Sequence, residues 1–396
     1  MATKGFLRAG HPPSLLAAFV HFDVSFMCWV LLGALGAYVA SDLGLSATQK
    51  GLMVAVPPLG GAAFRLLLGT LADRVGVRRT GLVTLGLTLV PLAWGWLAGG
   101  TYAQVLGIGL LLGIAGASFA VALPLASRWY PPEHQGLALG IAGAGNSGTL
   151  IAALAAPRLA EHVGWHGVFG LAAIPVALAW LAFAALAKEP PRPAGATRNP
   201  FTLLNEPDAR WLSMFYLATF GGFVGLAGYL PIFFVDRFGL TKVSAAGFAA
   251  LCAAAGSLVR PLGGLLSDRI GGTQVVGGAL ATASILLVGI ATQPGLAVTV
   301  VLLFAAMGAF GAGNGAVFQL VPLRFPARVG AMTGLVGAAG GLGGFLLPFL
   351  LGSLRQATGS FHAGFTVIAV GVGVTSVCAS RRERAWSGSG QLEVAV

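Results

Sequence analysis

Two arginines stand inside runs that are otherwise apolar: Arg65 in GGAAFRLLLGTLADR and Arg260 in AAGSLVRPLGGLLSDR, each eight residues before an Asp-Arg pair. Placing a guanidinium at the centre of a membrane-spanning helix costs about 2.5–3.5 kcal/mol even on translocon scales. Something must offset that cost twice. Arginine keeps its charge at any physiological pH and presents a planar fork of N–H donors that can bond two oxygens of one anion at once. The chemistry these residues suit is recognition of an anion.

Hydrolytic, acid–base or metal chemistry has no comparable set of residues. The six histidines are scattered, and none has a metal-ligand spacing to a carboxylate. Cys28, Cys252 and Cys378 lie singly in apolar stretches and form no disulfide framework. No metal, no cofactor and no enzymatic activity is expected. Asp23 is the one acidic residue inside an apolar span, with His21 two positions earlier. The pair reads either as a proton-coupling site or as a polar start to the first helix. Asn314 and Gln319 could line a polar cavity, or satisfy backbone groups in a glycine-rich helix.

The elements that must position these side chains follow from composition. The chain has 396 residues, 56% hydrophobic and 9% charged, with a mean hydropathy of +0.86. Ordinary soluble domains carry about 25% charged residues, so this is a polytopic protein of the lipid bilayer. Crossing about 30 Å of hydrocarbon takes about twenty residues. Twelve spans fit, at 14–40, 51–72, 80–99, 102–126, 136–157, 167–187, 211–235, 244–266, 274–293, 296–322, 329–354 and 362–379. With a cytoplasmic N-terminus, Arg74, Arg78, Arg79, Arg128, Arg269, Arg324, Arg328 and the RRER of Arg381–Arg384 all fall on the cytoplasmic side. Both termini are then cytoplasmic, and the expected location is the plasma membrane. Lys50, Arg158, Arg237, Lys242 and Arg355 fall outside. The net charge of +11 is spread through such loops, which argues against a nucleic-acid partner.

A proline- and charge-rich stretch, 188–210, separates residues 1–187 from 211–396. These are read as an N-terminal six-helix bundle, a cytoplasmic linker, and a C-terminal six-helix bundle with a short tail. Shifting the second part back by 195 residues lays Arg260 on Arg65, Asp268 on Asp73, Arg269 on Arg74, Gly311 on Gly116 and Pro326 on Pro131. With one deletion, Gly330, Gly334 and Gly337 fall on Gly136, Gly140 and Gly143. The chain is an internal duplication. Six spans per copy give both copies the same orientation, related by an axis along the membrane normal. Arg65 lies about 12 Å along its helix from Asp73, near the midplane, and the axis puts Arg260 at the same depth. No Asp or Glu stands at that depth in the neighbouring spans, so the two cations are expected to face a cavity that takes an anionic substrate.

The stretch GTLADRVGVRR, Gly69 to Arg79, resembles the loop motif of the major facilitator superfamily, with one residue inserted between its glycine and arginines. Asp73, Arg74, Asp268 and Arg269 are its charged positions. Two longer stretches, GLALGIAGAGNSGTLIAALAAP (Gly136 to Pro157) and GNGAVFQLVPLRFPARVGAMTGLVGAAGGLGGFLLP (Gly313 to Pro348), resemble the paired glycine-rich signatures of the nitrate/nitrite porter family, and the similarity runs through nearly the whole chain. The resemblance implies an all-α membrane protein of twelve transmembrane helices in two pseudo-symmetric six-helix bundles, the major facilitator fold. It implies a monomeric transporter that moves nitrate, nitrite or both by alternating access.

The resemblance also carries the substrate-binding arginines onto Arg65 and Arg260, the aromatic pair enclosing the planar anion onto Phe119 and Phe220, the hydroxyl donor onto Tyr216, and the amide donor onto Asn146. Gly140, Gly143, Gly148, Gly334, Gly337 and Gly341 are its signature and gating glycines. Gly136, Gly140, Ala144 and Gly148 recur every four residues, as do Gly330, Gly334 and Ala338. Such ridges suit helices that pack closely, whether at rest or as a moving surface. With its compact chain and short loops the sequence is more similar to the nitrate/proton symporter branch of that family than to the longer exchangers, which implies nitrate/proton symport, and nitrate/nitrite antiport stands as the alternative.

Overall fold

The computed structural model describes residues 5–191, 200–325 and 328–388. Both chain ends, the middle of the linker and Pro326 lie outside the described residues. No strand occurs among the described residues. A backbone in hydrocarbon has no water to bond, so each segment must satisfy its own N–H and C=O groups, which a helix does.

In chain order the helices are α1 Phe6–Ala9, α2 Pro12–Trp29, α3 Leu31–Ala34, α4 Gly36–Asp42, α5 Ala47–Val75, α6 Val77–Leu97, α7 Tyr102–Gly116, α8 Phe119–Ser127 and α9 Pro132–Gly143. A 3-10 turn over Ala144–Ser147 leads into α10 Gly148–Leu186. After the linker come α11 Pro207–Phe238, α12 Lys242–Ile270, α13 Gly272–Ala291, α14 Leu296–Arg324, α15 Val329–Thr358 and α16 His362–Gly388.

Ten helical segments among the described residues are long and apolar enough to cross a membrane, where the sequence suggested twelve spans. Two local breaks account for the difference. The first expected span is divided into α2, α3 and α4, with Val30 and Leu35 between them, and none of the three is long and apolar enough alone. The fifth and sixth expected spans fall in one run, Leu137–Leu186. That run is interrupted at Gly164, whose φ of 69° and ψ of 166° belong to no helix.

The chain divides into two units. Unit 1 comprises Met1–Leu45, Leu52–Pro200 and Gly228–Ala250, and unit 2 comprises Ser46–Gly51, Phe201–Ala227 and Leu251–Val396. Within unit 1, Gly76 (φ 110°) turns the chain from α5 into α6; within unit 2, Gly271 (φ 95°) turns it from α12 into α13. The two positions are 195 apart, the offset of the duplication, and such φ values favour a residue without a Cβ. Glu189 accepts from the N–H groups of Val77 (2.7 Å) and Arg78 (3.0 Å), capping the start of α6 with a negative charge. The far side of the linker is held in unit 2. Glu206 takes both guanidinium nitrogens of Arg328, which holds that arginine even more firmly protonated than usual, and Asp208 pairs with Arg382.

Small residues let backbones touch. In unit 1, a Cβ on Gly60 would collide with the carbonyl of Leu110, and one on Gly33 would lie 2.9 Å from the Cα of Gly228. Gly33 and Gly228 are also 195 apart, so the two copies of one position meet. In unit 2, Gly311 abuts the Gly256 carbonyl and Gly315 that of Arg260. The ridge glycines and the other signature glycines fare differently. Gly148 lies against Asp23 and Met27, and Gly337 and Gly341 are buried. A Cβ on Gly140, Gly143 or Gly334, however, would meet nothing within 4 Å among the described residues. Close packing at those three positions is therefore not what the structure has. A four-residue period shows that positions share a face, without showing that the face has a neighbour.

Candidate functional site: an arginine against aromatic rings in each unit

Arg65 is 3% exposed on α5. Its Nε donates to the carbonyl of Gly116 at 3.1 Å, and its Cζ stands over the rings of Trp29 (5.3 Å to the centroid) and Phe119 (5.9 Å). A break between α7 and α8 makes this arrangement possible. In a continuous helix the amide of Ala120 would bond the Gly116 carbonyl; here it bonds Ala117 at 3.0 Å instead. The Gly116 oxygen thus turns to Arg65, and Phe119 emerges as the first residue of α8. A hydrogen bond to a charged group contributes about 1.5–3 kcal/mol and a cation–π contact about 0.5–2 kcal/mol. Together they are the size of the insertion cost.

Helix α2 backs this site. Phe22 touches Phe119 with centroids 5.7 Å apart, and a Cβ on Gly145 would press on Phe22. Asn146, 6% exposed, sits in the 3-10 turn, and its Oδ1 has no hydrogen-bond partner among the described residues. The next residue, Ser147, donates its hydroxyl to the Asp23 carboxylate. His21 points elsewhere: its Nε2 meets Thr84 Oγ1 at 3.2 Å and its ring packs on Phe183. The sequence pair Asp23 and His21 is thus separated onto different neighbours.

In unit 2, Arg260 is part-buried on α12, with its Cζ 5.5 Å over the ring of Phe318. Phe318 stands at 89° to Tyr216, centroids 5.0 Å apart, and Tyr216 stacks on Phe220 at 4.9 Å and 7°. Gly340 leaves room for the stack, since a Cβ there would lie 2.6 Å from the Tyr216 ring. Asn314, 2% exposed, precedes Phe318 by one turn of α14, and its Oδ1 has no partner among the described residues. Gln319 lies against Gly272 at the start of α13, on a different side of α14 from Phe318.

The loop-motif residues behave unequally. Asp73 pairs with Arg128 at 2.9 Å, while Arg74, Asp268 and Arg269 are exposed. Sequence reasoning missed Trp29, Phe318, Gly116 as an acceptor, and Gly340. No local signal marks them, because each acts through a residue on another helix.

The model of the Major Facilitator Superfamily matches residues 17–348. The fold agrees with that of a solved bacterial homologue of the human lysosomal transporter Spinster, at a TM-score of 0.69 and 19% identity over 93% of this chain and 94% of that one. The chain belongs to this superfamily of integral membrane transporters. Among its relatives are the "Nitrite extrusion protein" of Bacillus subtilis (35% identical, 87% of each chain) and the "Probable nitrate/nitrite transporter NarK2" of Mycobacterium tuberculosis (39%, 83% of this chain and 86% of that one). A third is the "Probable nitrate/nitrite antiporter NarK1" of Thermus thermophilus (33%, 88% and 86%). Within the superfamily the chain is a member of the nitrate/nitrite porter family.

Proposed function

We propose that this chain is a secondary transporter of nitrate, with nitrite also accepted, working as a monomer in the cell membrane by alternating access. Counting α2–α4 as one crossing and the run through Gly164 as two would make twelve crossings, an even number that leaves both termini on one side, and the arginine-rich connections support that side being the cytoplasm. The observation that carries the reading is Arg260. Among the described residues it has an aromatic ring for company and no carboxylate within ion-pair distance. One cation–π contact of about 0.5–2 kcal/mol falls short of an insertion cost of about 2.5–3.5 kcal/mol. An anion would supply the balance. The proposed ligands are the forks of Arg65 and Arg260, the rings of Phe119 and Phe220, the Tyr216 hydroxyl and the Asn146 amide, with Asn314 as a further amide and the signature glycines as the moving surface. The names of the three relatives support nitrate and nitrite as substrates.

For coupling we favour proton symport, with Asp23 as the carboxylate, because it is hydrogen-bonded to Ser147 beside Asn146. The relatives' names, an antiporter and an extrusion protein, favour a second reading, nitrate/nitrite exchange. Reconstitution in liposomes tests both. Symport requires nitrate entry into anion-free vesicles under an inward proton gradient; entry that depends on internal nitrite or nitrate and ignores the gradient supports exchange. Absence of nitrate and nitrite flux under either condition would overturn the substrate assignment.

A further inference from the structure

The residue that keeps a binding-site arginine in place must steady a buried charge without competing for it. A carboxylate would do the first and fail the second, since it takes the same N–H donors that an anionic substrate needs. An aromatic face attracts the cation through its quadrupole and, having no in-plane lone pair, takes none of the five donors of the fork. Each arginine of this pair has such a face.

We infer that Trp29 and Phe318 are positioning residues of the anion site, each holding the guanidinium of one arginine over its ring: Trp29 for Arg65 and Phe318 for Arg260. The inference rests on the nitrate-binding reading of those arginines. Trp29 is itself tightly held. Its Nε1–H donates to the carbonyl of Pro57 at 2.9 Å in a buried hydrogen bond, and Gly61 and Gly116 lie so close to the indole that a Cβ on either would crowd it. Gly116 also receives Arg65, so indole, carbonyl and guanidinium form one interlocked group. Phe318 has a second contact of its own, the perpendicular Tyr216 ring. It therefore couples the position of Arg260 to that of Tyr216 and, through the stack, to Phe220. Neither ring needs to touch the anion to set its affinity.

The test alters the quadrupole and leaves the shape. Phenylalanine at 318 is replaced by mono-, di- and trifluorophenylalanine in the full chain, which is reconstituted in liposomes, and nitrate uptake is measured over a range of concentrations. A cation–π contact of this kind corresponds to about twofold to thirtyfold in affinity. The expected result is a stepwise rise of KM with fluorination, reaching at least about threefold for the trifluoro ring, with maximal rate little changed. Phe318→Leu should raise KM further and Phe318→Tyr should restore it; Trp29→Phe should be milder than Trp29→Leu. A KM flat across the fluorinated series, while Arg260→Lys still lowers nitrate affinity at least about tenfold, overturns the positioning role and leaves the nitrate reading standing. Wild-type nitrate binding by Arg260→Lys overturns the nitrate reading itself.

Discussion

Arg65 Nε donates to the main-chain oxygen of Gly116 across 3.1 Å, so a buried cation is anchored by a backbone carbonyl made available by a helix break. The anchor uses the base of the fork. It fixes the direction in which the two terminal nitrogens point, and the point charge of a lysine ammonium lacks the planar fork that meets two oxygens of a planar anion at once. Arg65→Lys and Arg260→Lys should each lower nitrate affinity at least about tenfold, the loss of about 1.5 kcal/mol from one charge-assisted hydrogen bond. Nitrate titration of the purified variants checks this, with their melting midpoints showing that the fold survives.

Phe119 meets both Arg65 and Phe22, so it bears on the shape of the site as much as on its charge. Phe119→Ala should weaken discrimination between flat nitrate and tetrahedral perchlorate more than it weakens binding of either. Competition of each anion against labelled nitrate uptake gives the ratio. Equal losses for both anions would show that the ring does not bound a flat slot.

The glycines divide into two classes with different expected outcomes. A Cβ at Gly148 would collide with the Asp23 carbonyl, and one at Gly340 with the Tyr216 ring. Overpacking of this sort costs about 1–3 kcal/mol, so Gly148→Ala and Gly340→Ala should lower the melting midpoint in detergent and reduce uptake together. Gly140→Ala and Gly334→Ala should leave the midpoint unchanged, since no described residue lies within 4 Å of the added methyl. A fall in turnover for these two at unchanged stability would mean that their faces close on a neighbour in another state of the cycle.

Asp23 accepts the Ser147 hydroxyl next to Asn146. Asp23→Asn removes the titrating group and keeps a side chain that can still accept that bond. Uptake driven by an inward proton gradient should be lost while exchange of internal for external nitrate persists, measured in the same vesicles. Retention of gradient-driven uptake would remove Asp23 from the coupling.

Much of this was legible in the sequence because the membrane makes its rules severe. A charge in an apolar run must have a reason, so Arg65 and Arg260 announced themselves, and the 195-residue offset tied them to one another and tied Asp73 and Arg74 to Asp268 and Arg269. The family resemblance added Phe119, Phe220, Tyr216 and Asn146, of which the structure groups Phe119 with Arg65, and Tyr216 and Phe220 with the ring that faces Arg260.

What only tertiary structure decided is which face of a helix meets which neighbour. The four-residue glycine ridge was visible, yet Gly140 and Gly334 look onto open space among the described residues while Gly148 and Gly340 are the ones pressed against other helices. His21 and Asp23, two residues apart, lie about 200° apart around an α-helix and so answer to different partners. Trp29 and Phe318 were invisible because a phenyl or indole in an apolar span carries no mark of the cation it faces. The break after Gly116 was hidden for the same reason: AGASFA reads as good helix, and its departure from helix shows only in where Ala120 and Arg65 place their hydrogen bonds. Sequence determines which residues cannot be indifferent to a membrane, because the cost of a buried charge or a strained φ is local. The partner that offsets the cost comes from another helix, and only the folded chain brings it within reach.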